Sequence, residues 1–399
     1  MERNKITFVI PSRNNLEFLK LAYKSIRDLE TKHEILVLND ASTDRTQEWI
    51  NSLNDKDLIT HHNPGPDRIG IVGMFDKGIE MARTEIIFAF HADMVAAPNL
   101  DKHILKHLKK GTVVSATRVE PPLHPDGPEK VIKNFGIEVE NFNHDKFYSW
   151  VKNEYQPKHN TLITEGIFAP WCMYKEDFLA VGGHDELFAP QSKEDSDLFN
   201  RFILKGYKVL QTWEGLVYHF TSRGSRFNKH VGGAAGKNSD EWIYTTTKNM
   251  RNFIRKWGTV VKHDTLMKPI IIPKYDIGII LKEGNSNILA GLEPWCSTIY
   301  IKPDLIKSYA EIEKENTNMD LYERIKPFDN EKNNKILIEI DTNKFTEQDF
   351  NYIQQMPEIL TNDNELHEEE LPCDFELANL KIRINNLETY EKKLIENEK

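Results

Sequence analysis

The 399-residue chain has little cysteine, and what it has is scattered: Cys172, Cys296 and Cys373, an odd set with no close pair. Such spacing builds neither a disulfide framework nor a zinc site, so a reducing, cytoplasmic setting is the default expectation. Long hydrophobic runs are missing too. None approaches the roughly eighteen apolar residues that a membrane-spanning helix needs. Met1-Glu2-Arg3-Asn4-Lys5 leads straight into a strand pattern, with no signal peptide visible. Nor does the composition offer the basic surplus of a dedicated nucleic-acid-binding protein, because the formal net charge is −10. That acidity is local: residues 1–300 sum to +1 and residues 301–399 to −11. Residues 201–260 carry eleven Lys/Arg against three Asp/Glu, a surplus suited to phosphate or equally to a solvated helix. What remains is an ordinary globular composition, 39% hydrophobic and 29% charged, in a chain long enough for two domains.

The order of elements predicts an α/β fold. Ile6-Thr7-Phe8-Val9-Ile10 reads as a strand stopped by Pro11, and Leu16, Leu19, Tyr23 and Ile26 recur at helical spacing. Glu34-Ile35-Leu36-Val37-Leu38 is a second buried strand, ending in Asn39-Asp40, and a helix follows around Gln47–Leu53. Strand, helix, strand, helix is the opening of a doubly wound parallel sheet. A turn-rich loop, Asn63 to Gly70, precedes a helix over Val72–Ala82. The apolar run Ile86-Ile87-Phe88-Ala89-Phe90 then ends in His91-Ala92-Asp93. Ligands of such sheets collect beyond the carboxyl ends of strands, where this imidazole and carboxylate can hold a divalent cation against a diphosphate. The plainer reading is a turn acid and an ordinary polar residue leaving a strand.

Two pairs of motifs make a resemblance specific. Val9-Ile10-Pro11-Ser12-Arg13-Asn14 with Leu38-Asn39-Asp40-Ala41-Ser42-Thr43-Asp44, and Gly182-Gly183-His184-Asp185-Glu186 with Glu194-Asp195-x-x-Leu198-x-x-Arg201, resemble the inverting family-two glycosyltransferases of the GT-A fold. The resemblance covers about two-thirds of the chain and ends near residue 260. It implies a Rossmann-like sheet with helices on both faces that binds a nucleotide-diphosphate sugar. Pro11, Ser12, Arg13, Asn14, Asp40 and Ser42 would then line the nucleotide pocket, with Asp40 accepting from the base. Arg68, Ala92 and Asp93 would lie along the diphosphate. The family's Asp-x-Asp, which binds Mn2+ or Mg2+, is here His91-Ala92-Asp93, so Asp93 is the expected ligand. His91 is open to metal binding, to contact with the sugar, or to neither. His219, at the end of a late strand, matches a third metal position, and Arg223 and Arg226 follow it as candidate phosphate clamps. The usual glycine before the third helix is Gly70 or Gly73, and the usual Asn-x-Gly within it is Asp76-Lys77-Gly78.

An inverting transfer needs a base opposite the leaving diphosphate. Asp195 is the expected base, and Glu194 is expected to orient a sugar. The structural alternative is that helix starts gather acids for stability alone. A nucleotidyltransferase would want a Gly-rich, basic loop after the first strand, which this chain lacks. A non-catalytic nucleotide-sugar or glycan-binding protein on the same scaffold is the rival from another class. The membrane helices and Gln-x-x-Arg-Trp motif of the family's processive synthases are also absent, which favours single-sugar transfer. The acceptor stays open among saccharide, lipid-linked, protein and modified-base hydroxyls.

The expected organisation is a GT-A domain over 1–262, an accessory α/β module over 263–365, and an acidic linker with a C-terminal helix over 366–399. Strand patterns in the module fall at Pro269–Pro273, Ile277–Leu281, Thr298–Ile301 and Ile336–Ile340, and residues 120–160 are expected to be a long irregular insertion. Glycine-rich Lys229–Lys237 is expected to close over the donor. Leu377, Leu380, Ile384, Leu387 and Leu394 fall near heptad spacing, which predicts a terminal helix for homo-oligomerisation or for docking on its own chain.

Overall fold

The computed structural model describes residues 5–363 and 368–395. The chain forms two compact units. Among the described residues, one comprises the chain up to Thr246 and His263–Ile270, the other Thr247–Lys262 and Ile271–Leu394.

The first unit holds a ten-stranded sheet. Its strands are β1 (Ile6–Ser12), β2 (Glu34–Asp40), β3 (Leu58–Asn63), β4 (Ile86–Ala89), β5 (Met94–Ala96), β6 (Thr112–Glu120), β7 (Lys130–Ile132), β8 (Ile163–Thr164), β9 (Trp171–Tyr174) and β10 (Lys208–His219). The main path runs β3-β2-β1-β4-β9-β6-β10-β5, with β7 on β6 and β8 on β10. β3, β2, β1 and β4 are mutually parallel, and β6 is parallel to β10. β9 runs antiparallel between β4 and β6. Alternation along β1 shows how the sequence makes two faces. Ile6, Phe8 and Ile10 pack with Leu19, Ala22 and Ile26 of the helix Leu16–Arg27, whereas Val9 packs with Met74, Phe75 and Ile79 of the helix Gly70–Met81. Burying one such aromatic or aliphatic side chain contributes about 1.5–3 kcal/mol. The α/β arrangement with helices on both faces is thus the one expected.

Residues 120–160 are more ordered than expected. β7 and the helix His144–Trp150 lie there, and Phe135, Phe147, Trp150 and Tyr155 form a core with Tyr218 and Phe220. Aromatic packing, which periodicity does not register, organises that stretch.

The second unit contains β11 (Ile277–Leu281), β12 (Thr298–Ile301), β13 (Ile325–Pro327), β14 (Ile336–Ile340), β15 (Cys373–Leu377) and β16 (Leu380–Ile384) in the order β13-β12-β11-β14-β16-β15. Two expectations are corrected here. Ile270–Ile272 is not a strand; only an isolated bridge, His263 to Pro269, falls nearby. The expected terminal helix is instead a hairpin, since β15 pairs antiparallel with β16. Leu380, Ile382 and Ile384 are buried while Lys381 and Arg383 between them are exposed, a period of two that the heptad count skipped over. The oligomerisation helix thus has no counterpart among the described residues. Residues 364–367 of the expected acidic linker lie outside them.

Candidate active site

The parallel strands point their carboxyl ends at one edge, and the loops leaving them wall a cleft of about 500 Å3. Pro11, Ser12 and Arg13 come from the end of β1 and the loop after it, Asp40 from the end of β2, and His91, Ala92 and Asp93 from the turn after β4. His219 comes from the end of β10, and Arg68, Glu194 and Asp195 line the same cleft. Asn14 and Ser42 do not line it. Asn14 sits in the left-handed region (φ 50°), its backbone N–H donates to Ser42 Oγ at 3.0 Å, and its Oδ1 accepts from Thr43 N at 2.7 Å. The pair braces the β1 and β2 loops against each other.

Asp40 is largely committed to the protein. Its Oδ1 accepts from Asn63 Nδ2 at 2.8 Å and Ile69 N at 2.9 Å, and its Oδ2 accepts from Gly70 N at 2.7 Å. A base would meet a carboxylate already fixed by three donors. Gly70 is the required glycine of the two candidates, because it sits at φ +90° and a Cβ there would lie 2.5 Å from Pro190.

One ligand atom each of His91, Asp93 and His219 lies within 4.8 Å of the others. The turn fixes Asp93 tightly: its Oδ2 accepts from Arg223 N at 2.6 Å and its carbonyl from Phe220 N at 3.0 Å. Burial works against its charge, yet the neighbouring His219, then His91 and the Arg223 N–H, hold the carboxyl well below the usual range. Burial pushes His91 down despite Asp93, so the imidazole is neutral and able to ligate. His219 is moved up: burial opposes its protonation, but Asp93 and Glu120 outweigh it. Two imidazole nitrogens and one carboxylate can hold a divalent metal ion.

Residues 7–176 match the model of the family described as glycosyl transferase family 2. A curated relative, an undecaprenyl-phosphate mannosyltransferase of Micrococcus luteus, is 26% identical over 121 residues, 29% of this chain and 49% of that protein. The match therefore spans only half the relative's length. Among solved structures, GalNAc-T7 with UDP, GalNAc and Mn2+ aligns at 14% identity and TM-score 0.44, covering 64% of this chain and 48% of that one. The mannosyltransferase PcManGT from Pyrobaculum calidifontis, in complex with GDP-Man and Mn2+, aligns at 16% identity and TM-score 0.38, covering 55% and 57%. S. aureus TarS in complex with UDP aligns at 14% identity and TM-score 0.38, covering 54% and 60%.

The family-2 segment supplies His91 and Asp93, while Glu194, Asp195 and His219 lie beyond it. The two acids open the helix Glu194–Leu204, directly after Ser192 and Lys193, both in the left-handed region at φ 78° and 74°. Two such non-glycine residues in a row are costly, and strain of this kind gathers at functional sites. Glu194 is buried with Oε2 lacking a hydrogen-bond partner. Burial, and then the charge of Asp195, raise its carboxyl well above the usual range. Arg201 of the motif is structural: it bonds Asp197 at 2.9 Å and the carbonyls of Val181 and Gly183 at 2.5 and 2.7 Å.

Arg13 and Arg68 converge on Glu241, at 3.7 and 2.6 Å, so a carboxylate already lies between these two cations of the cleft. Arg223 is not a free clamp, because its guanidinium bonds the carbonyls of Phe220 and Ile137. Arg226 does line the cleft, beside His124 and Trp242. Sequence reasoning missed a further group on the wall: Arg118, Glu120, His124, Glu129 and Lys130. A signal was available, since β6 is buried along its whole length and yet ends in Arg118-Val119-Glu120. Charged residues at alternate positions of a buried strand need partners.

Proposed function

We propose that this chain is a glycosyltransferase that moves one sugar, with inversion, from a nucleotide-diphosphate sugar to an acceptor hydroxyl. The observation that carries the reading is the meeting, in one cleft, of the His91–Asp93–His219 ligand set with the acids Glu194 and Asp195. The match of residues 7–176 to the glycosyl transferase family 2 model supports it.

Asp195 would take the proton of the acceptor hydroxyl as that oxygen forms its bond to the anomeric carbon. The bond from that carbon to the diphosphate oxygen breaks in the same displacement, and its electron pair leaves with the nucleotide. Glu194, protonated beside Asp195, would donate a hydrogen bond to a sugar oxygen and keep the two acids from repelling. Asp93, His91 and His219 would hold a divalent metal, Mn2+ in preference to Mg2+, which supplies Lewis-acid stabilisation of the departing diphosphate. Arg13 and Arg68 would face the phosphates, with Glu241 giving way, while Pro11, Ser12, Asp40 and Ala92 form the nucleotide side. Among the described residues no helix is long and apolar enough to cross a membrane.

A thermal-shift panel of nucleotide sugars with Mn2+, Mg2+ or EDTA tests this reading on wild type and Asp93→Ala. A ligand bound only by the native state raises the melting temperature by mass action. The expected result is a Mn2+-dependent shift for one donor, lost in Asp93→Ala. No shift with any donor would overturn the nucleotide pocket.

A further inference from the structure

We propose that Glu120 is a positioning residue for the metal centre, the group that aims His219 at the ion. The inference rests on the reading of His91, Asp93 and His219 as a metal site. Glu120, the last residue of β6, is 1% exposed, and its Oε1 lies 2.7 Å from His219 Nδ1. His219 Nε2 is the nitrogen turned to Asp93, 3.6 Å from its Oδ2. An imidazole held through Nδ1–H by a carboxylate presents Nε2 as its lone pair, in one ring orientation. Such outer carboxylates fix the tautomer and strengthen the ligand.

Glu120 is itself immobilised from behind. Its carboxylate meets Arg118 Nε and Lys130 Nζ, each at 3.3 Å. Those two cations are also held by Glu129, at 2.8 and 3.5 Å, and Arg118 stacks over the Phe168 ring at 4.0 Å. Arg118 faces the same Oε1 that meets the histidine, and Lys130 faces Oε2, so both carboxylate oxygens are pinned and the carboxylate keeps one aim toward His219. A merely charge-balancing acid would not need that aim.

The test measures Mn2+ binding to the full chain by calorimetry, in wild type, Asp93→Ala, Glu120→Gln and Glu120→Asp. Glu120→Gln keeps an acceptor but removes the charge; Glu120→Asp keeps the charge for Arg118 and Lys130 but shortens the reach, so at least one variant should fold. Loss of an outer carboxylate typically weakens metal affinity about 10–100-fold, and that loss is the expected result for a folded Glu120 variant. Zn2+-loaded wild type should show His219 protonated at Nδ1 and bound through Nε2 in long-range 1H–15N spectra, a signature disturbed in Glu120→Asp. If both variants bind Mn2+ like wild type while Asp93→Ala does not, Glu120 is structural only and the metal reading stands. If wild type binds no Mn2+, or Asp93→Ala binds it equally well, the metal reading fails and this proposal with it.

Discussion

Each unit of this protein buries charged side chains beside a largely parallel sheet, and the two sets differ in how far they are paired. In the second unit, Glu293 is fully buried and accepts from Arg255 at 2.6 Å, Arg324 at 2.6 Å and the Tyr309 hydroxyl at 3.1 Å. Arg255 also bonds Glu313 and Asn252. In the first unit, Ser12 Oγ, Arg13 Nε and Glu194 Oε2 are buried on the cleft without a hydrogen-bond partner. The ingredients are alike and the completion is opposite. A closed network holds a fold together, whereas polar groups left open on a cleft wall await a ligand that completes them.

The sharpest way to break that contrast is Asp195→Asn. Removing a positioned base typically costs about 10²–10⁴ in rate, so turnover should collapse while the donor-induced thermal shift survives. An equal loss of donor affinity would make Asp195 a binding group, and unchanged turnover would favour a non-catalytic binder. Arg255→Met should do the reverse. Leaving Glu293 short of a partner in the interior is expected to cost about 3–5 kcal/mol, read as a lower melting temperature, with nucleotide binding to the cleft retained. Glu194→Gln gives the smallest and most conditional effect. Because the native carboxyl holds its proton to higher pH than the unfolded chain does, wild type gains stability from this group only in acid. It loses that gain as pH rises from the ordinary glutamate range through the raised native value. The amide has no such dependence, so its melting temperature should overtake wild type toward pH 8, by about 1 kcal/mol or more in stability. A parallel pH profile for both proteins would contradict the raised value.

Much of the first unit was legible because its strands are short apolar runs and its helices carry a clear apolar face. The end of one strand singled out His91 and Asp93 before any geometry, while Arg13 and Arg68 came from the family resemblance. Glu120 was not legible, since its partner His219 stands ninety-nine positions along the chain. The Arg13–Glu241–Arg68 contact is likewise set by tertiary folding alone. The terminal hairpin was misread for a different reason: the apolar residues on alternate positions of two short strands also fall, by chance, near heptad intervals.

The pairing of His184 with Asp76 ties the turn before the acidic helix to the helix Gly70–Met81. His184 Nδ1 lies 2.6 Å from Asp76 Oδ1, the His184 backbone N–H reaches both carboxylate oxygens at 3.1 Å, and a Cβ on Gly183 would meet Asp76 at 2.4 Å. The two side chains share one contact, so their contributions to stability are coupled. A double-mutant cycle of Asp76→Asn and His184→Phe should therefore show about 0.5–3 kcal/mol of coupling, with the double variant more stable than the sum of the single losses predicts. Strict additivity would mean that the contact between the two side chains contributes nothing of its own.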